Sequence, residues 1–104
     1  MMYLISIKKY WKMHLTEEQL KGVEEMAYRL FTPELTAINI EADEVEFCEE
    51  INIPGTNVRT AYYRGLIRQQ TELREAIIKA SVNGSNPAQQ QLLNLLLVLQ
   101  SSLQ

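Results

Sequence analysis

The sequence is poor in the residues that most reactions and cross-links need, with one cysteine, one histidine and one tryptophan in 104 residues. A lone Cys48 excludes an internal disulfide framework and any CxxC metal or redox pair, and it fits a reducing compartment. No run approaches the roughly 18 apolar residues that a membrane-spanning helix needs. The start, Met1-Met2-Tyr3-Leu4-Ile5-Ser6-Ile7, carries its lysines after the apolar residues, the reverse of a secretory signal. These absences predict a cytoplasmic protein with no membrane partner. There is no GxSxG, no phosphate-binding glycine loop and no DxDxDG calcium loop. His14 has no sequence neighbour that would make it a base or a ligand. Cys48 lies on an acidic segment, where negative neighbours suppress the thiolate and a small core residue is expected. The carboxylates at 41–50 read as a solvated helix face. The expectation is a non-enzyme, with no catalytic residue, no cofactor and no metal.

Charge is missing in blocks. Residues 32–58 hold seven acids and no base, a net of −7. Residues 1–31 hold five bases against four acids, and residues 59–104 five bases against two. All the charges of that last block lie before position 80, so residues 80–104 are wholly uncharged. A solvated helix is rarely so.

What is present is a series of helix signals. Thr16-Glu17-Glu18-Gln19 is a capping box, flanked by Leu15 and Leu20 at the spacing of a hydrophobic staple. Leu20, Val23, Met26, Ala27, Leu30 and Phe31 follow at helical spacing, predicting a helix over about 17–31. Thr32-Pro33 restarts the chain, with proline at the first helical position. A short helix to about Asn39 is expected to bury Leu35, Ile38 and Ile40. Asp43 caps a third helix to about Glu50, with Val45, Phe47 and Cys48 partly inward. Asn52-Ile53-Pro54-Gly55-Thr56-Asn57 breaks the pattern and is the best boundary in the chain. A long helix is predicted over 57–82, about 39 Å at 1.5 Å per residue. Asn83-Gly84 closes it, and Ser85-Asn86-Pro87 caps a last helix that turns back on it. The pattern is all-α: a helix-turn-helix-like three-helix unit at 15–53, then a long antiparallel helical hairpin at 57–104. Residues 1–14 form an N-terminal extension that suits either an amphipathic helix or a short strand.

Three groups of residues are candidates for function. Leu92, Leu93, Leu95, Leu96, Leu97, Val98 and Leu99 point in every direction around the last helix. One packing helix covers one face only, so oligomerisation is expected through Leu92, Leu93, Leu96 and Leu99. A second group, Tyr62, Leu66, Gln69, Leu73, Ala76 and Ala80, alternates four and three residues along the long helix like a coiled-coil seam. Tyr62, Leu66 and Leu73 therefore join the oligomerising set. Gly65 within that helix costs about 1 kcal/mol against alanine unless another backbone comes close there. The third group is basic. Lys8, Lys9 and Lys12 with Tyr10 and Trp11, and Arg64 and Arg68 on the long helix, are the candidate double-stranded DNA contacts. The helix at 43–50 is a poor groove reader, because its carboxylates are repelled by phosphates. Glu41 also stands at the turn position that glycine usually takes.

Ala61-Tyr62-Tyr63-Arg64-Gly65, then Glu72-Leu73-Arg74-Glu75-Ala76-Ile77, then Asn83-Gly84-Ser85-Asn86-Pro87-Ala88-Gln89 follow a cadence that resembles the small terminase subunits of tailed bacteriophages and prophages. The resemblance covers about 15–99, with Thr32-Pro33-Glu34 through Phe47 in the place of the family's helix-turn-helix. It implies a non-catalytic DNA-packaging subunit that forms homo-oligomers through the hairpin Tyr62–Leu99. Such a subunit presents viral DNA to an ATP-driven large terminase subunit. By position the DNA-facing helix is Asp43–Glu50, which here is acidic where the role wants bases. The sequence ends at Gln104, without the further C-terminal segment by which many members engage other packaging components. Two alternatives stand beside this reading. One is a structural or interaction protein of a phage or mobile element without DNA binding, and the other a helix-turn-helix regulator dimerising through the hairpin.

Overall fold

The computed structural model describes residues 13–104, and every regular element among them is helical. Helix α1 is Glu17–Tyr28, α2 is Pro33–Asn39, α3 is Glu44–Ile51, α4 is Asn57–Val82 and α5 is Asn86–Ser102. Lys8, Lys9 and Lys12, and the helix-or-strand alternative for the chain start, fall outside the described residues. The chain divides into two compact units, with the division inside α4 after Gln69. The sequence suggests a break at 52–57. Instead the first three turns of α4 belong to the first unit, because Val58, Ala61 and Tyr62 are buried in its core.

The caps fall where their chemistry asks. The Thr16 hydroxyl accepts the Gln19 amide at 3.0 Å, and the Gln19 side chain takes the Thr16 amide at 2.9 Å. Thr32, Asp43 and Ser85 accept the amides of Leu35, Glu46 and Ala88, each in the first turn of its helix. Thr56 is buried and does two things. It donates to the Glu50 carbonyl at 2.9 Å and accepts the Arg59 amide at 3.1 Å, tying α3 to the start of α4.

Three helices end in the same way. After α4, the Ser85 amide reaches the Ala80 carbonyl and the Gly84 amide that of Ser81, with Gly84 at φ +96°. This is the Schellman arrangement, which wants a left-handed residue after the cap. After α1 and α2 the equivalent bonds are Phe31 to Met26 with Leu30 to Ala27, and Ala42 to Ala37 with Glu41 to Ile38. Here the left-handed residues are Leu30 (φ 68°) and Glu41 (φ 61°), both exposed. A side chain in that region costs roughly 1–2 kcal/mol, part of which glycine returns as unfolded-chain entropy. Leu30→Gly and Glu41→Gly are each expected to stabilise the chain by about 0.5–1 kcal/mol in urea unfolding. The left-handed end also stops α1 at Tyr28, three residues short of the apolar periodicity.

The first unit's core is Val23, Ala27, Ala37, Ile40, Phe47, Ile51, Val58, Ala61 and Tyr62, with Met13, Leu15, Leu20, Ala42 and Leu66 packed at its edge. Two expectations about its faces are corrected. In α2 the buried residues are Thr36 and Ala37, followed by Ile40, while Leu35 and Ile38 are exposed. Small residues let α2 approach closely, and the Thr36 hydroxyl is satisfied by the Thr32 carbonyl at 2.8 Å. In α3 the buried stripe is Phe47, Glu50 and Ile51. Val45 lies two residues, or about 200°, from Phe47 and is 70% exposed. Cys48 is half-buried rather than a core residue, and burial, with Glu34 and Glu44, raises its thiol. Glu50, one of the carboxylates read as solvated, is buried and accepts the Met13 amide.

The second unit runs from Gln70 to Gln104. Ala88 is buried, Leu92 and Leu95 are half-buried, and these share one stripe of α5. On α4, Ile77, Ala80 and Ser81 are the half-buried positions, and the Gln89 side chain donates to the Ser81 carbonyl at 3.1 Å. Among the described residues no helix is long and apolar enough to cross a membrane.

Candidate interaction surface

Helix α5 begins at the Ser85 cap with proline in its first turn and carries no charge in either terminal turn. Outside its 88/92/95 stripe, the apolar residues of α5 are exposed. Leu93, Leu96, Leu97, Val98, Leu99 and Leu103 are between 47% and 76% exposed. On α4, Leu73, Ile78 and Val82 are also exposed. The charges of this unit, Glu72, Arg74, Glu75 and Lys79, all lie on α4. Monomeric proteins rarely expose an apolar band of this extent. Of the residues expected to oligomerise, Leu73, Leu93, Leu96 and Leu99 lie in the exposed set, and Leu92 is half-covered by its own chain.

Tyr62 and Leu66 are placed elsewhere. Tyr62 is 8% exposed in the first unit's core, and its hydroxyl donates to the Phe31 carbonyl at 2.6 Å. Burial, with smaller effects of Glu34, Tyr63 and Cys48, raises its phenol. Leu66 packs at the edge of the same core, and the Gln69 side chain donates to the Tyr28 carbonyl at 2.8 Å. Gly65 explains the arrangement. A Cβ built there would stand 2.1 Å from the Glu24 carbonyl oxygen and 2.7 Å from the Ala27 Cβ. The N-terminal half of the seam is therefore the face α4 turns to α1 within one chain. Helical spacing groups residues on a face but does not name the neighbour.

The two described arginine candidates also differ. Arg68 donates to Glu24 at 2.9 Å and to Glu25 at 2.7 Å, and its guanidinium lies 4.4 Å from the centre of the Tyr28 ring. Its charge is answered within the unit. Arg64 lines a groove of about 390 Å³ with Lys21, Glu17, Glu24 and Asn57, between the starts of α1 and α4. The acids of α3 fit no phosphate contact either: Glu44 and Glu49 are exposed, and no base lies within 32–58.

Arg68 holds the Glu25 carboxyl below its usual 4.5, against some desolvation and with help from Arg29. A carboxyl lowered in the folded state lends stability above its unfolded value, and loses it as pH falls through the lowered one. Carboxyl NMR is expected to find Glu25 titrating below 4.5, and Arg68→Gln to move its midpoint up. An unmoved midpoint would show that the pair does not form.

Comparison with known proteins found no family model, no curated protein and no solved structure that matches this chain. Among the described residues there is no group of three or more His, Cys, Asp or Glu side chains placed to hold a metal ion.

Proposed function

We propose that this chain is a non-catalytic adaptor that assembles into homo-oligomers, with the end of α4 and α5 as an antiparallel hairpin that packs against other copies. The observation that carries the reading is the uncharged, half-exposed leucine band of α5. Covering it supplies roughly 5–10 kcal/mol per copy, taking about 1.5–3 kcal/mol for each fully buried apolar side chain. Two copies bring twice that, against an association cost of about 4–15 kcal/mol.

The setting that the sequence cadence suggests is phage DNA packaging, in the manner of a small terminase subunit acting in the host cytoplasm. In that role α2 and α3 take the place of the helix-turn-helix, and a large terminase subunit is the partner that receives the DNA. The DNA contacts are then Arg64 with Lys8, Lys9 and Lys12, since Arg68 is ion-paired and α3 is acidic. Those same two observations favour a second reading, a structural component of a phage or mobile element that binds no DNA.

Light scattering with and without double-stranded DNA separates them. Both readings expect a discrete oligomer at micromolar concentration. A gain of mass with DNA at low salt that fades as salt rises supports packaging. An oligomer indifferent to DNA supports the structural reading. A strict monomer with no DNA affinity refutes both.

A further inference from the structure

The outward sides of α2 and α3 form a second surface, apart from the leucine band. Leu35 and Ile38 are 49% and 55% exposed, one helical turn apart on α2, and Val45 is exposed on α3. Around them stand Glu34, Glu41 and Glu44, all exposed. Helices α2 and α3 pack directly against each other. The opposite sides of the same two helices are anchored in the core by Ala37 and Phe47, both fully buried.

Apolar side chains set among acids, with no base in 32–58, ask for a ligand that is apolar and basic. DNA supplies the wrong sign, and the uncharged α5 supplies no base. Two stretches of this sequence, 1–12 and 59–71, carry three bases each and no acid, while the acid-free 76–104 has Lys79 alone. In 59–71, Ala61 and Tyr62 are core residues, Arg68 is ion-paired, Arg59 donates to the Ile51 carbonyl and Arg64 lines the groove that also holds Glu17 and Glu24. That leaves Met1 to Lys12, with Lys8, Lys9 and Lys12 beside Tyr3, Leu4, Ile7, Tyr10 and Trp11. The same chain's Met13 is tied through Glu50 to the core side of α3, away from this outer face. We propose that the acidic and apolar outer face of α2 and α3 is a docking surface for residues 1–12 of a second copy of this chain. The docking rests on copies meeting, as in self-association through α5, but uses different residues.

Zero-length carbodiimide coupling on the full chain tests it, with equal parts of isotopically light and heavy protein. Contact lets a lysine Nζ condense with a glutamate carboxylate, giving an amide and losing water overall. The expected products join Lys8, Lys9 or Lys12 of one isotope to Glu34, Glu41 or Glu44 of the other. Ile38→Ser, at an exposed site, is expected to cut their yield about tenfold while leaving the helical signal intact. Links only within one isotope, links spread equally to Glu17 and Glu18, or a yield indifferent to Ile38→Ser each overturn the proposal. Light scattering on the same samples keeps the two readings apart. An oligomer without these links sinks the docking alone, and a monomer sinks self-association with it.

Discussion

Gly65→Ala is expected to destabilise the first unit by about 2–4 kcal/mol, although alanine is the better helix former by about 1 kcal/mol. The added methyl would meet the Glu24 carbonyl oxygen at 2.1 Å, the Ala27 Cβ at 2.7 Å and the Tyr28 amide nitrogen at 2.8 Å. Two of these are backbone atoms inside α1, so no side-chain rotation relieves them. Helices α1 and α4 have to part, and Val23, Ala27, Ala61 and Tyr62 loosen together. For a domain of this size that is a fall in melting temperature of roughly 10–20 °C. Gly22→Ala is the control. Its Cβ would meet only the Ile40 methyl at 3.1 Å, a side chain able to shift, and a change within about 1 kcal/mol is expected. If Gly65→Ala melts at or above the wild-type temperature, the close approach of α1 and α4 is refuted.

Leu96→Glu is expected to weaken self-association by about 100- to 4,000-fold, from the roughly 3–5 kcal/mol that an unpaired buried charge costs. In the isolated chain Leu96 is already 47% exposed, so the carboxylate stays in water and the helices should form as before. The change is therefore one of mass rather than of circular dichroism. Sedimentation at a fixed concentration should shift to the monomer, with Leu96→Ala intermediate. Glu46→Lys, a larger charge change in the other unit, should leave the mass alone. An unchanged mass for Leu96→Glu would remove the leucine band from the interface.

Much of the helical outline was legible because caps are short-range chemistry. Thr16 with Gln19, Thr32 with Pro33, Asp43, and Ser85 with Pro87 each act within one turn, and each stands where the sequence puts it. The need for a close neighbour at Gly65 was legible too, from the cost of a glycine inside a helix. Partners were harder to read. Leu35 and Ile38 are larger and more apolar than Thr36 and Ala37, yet the smaller pair is inside. Glu50 counted among seven acids, and no local pattern marks it as the one that takes the Met13 amide. Arg68 meets Glu24 and Glu25 more than forty positions away in sequence, beyond any local rule. The seam through Tyr62 and Leu66 was a correct face with the wrong neighbour.

The absence of charge on α5 governs how an assembly made through it answers its surroundings. Contacts between uncharged side chains give counter-ions nothing to screen, so such an oligomer should tolerate salt that strips a protein from DNA. Temperature acts the other way. Apolar contact weakens on cooling, so an assembly held by the leucine band should loosen in the cold room, and a mass taken there would undercount its copies.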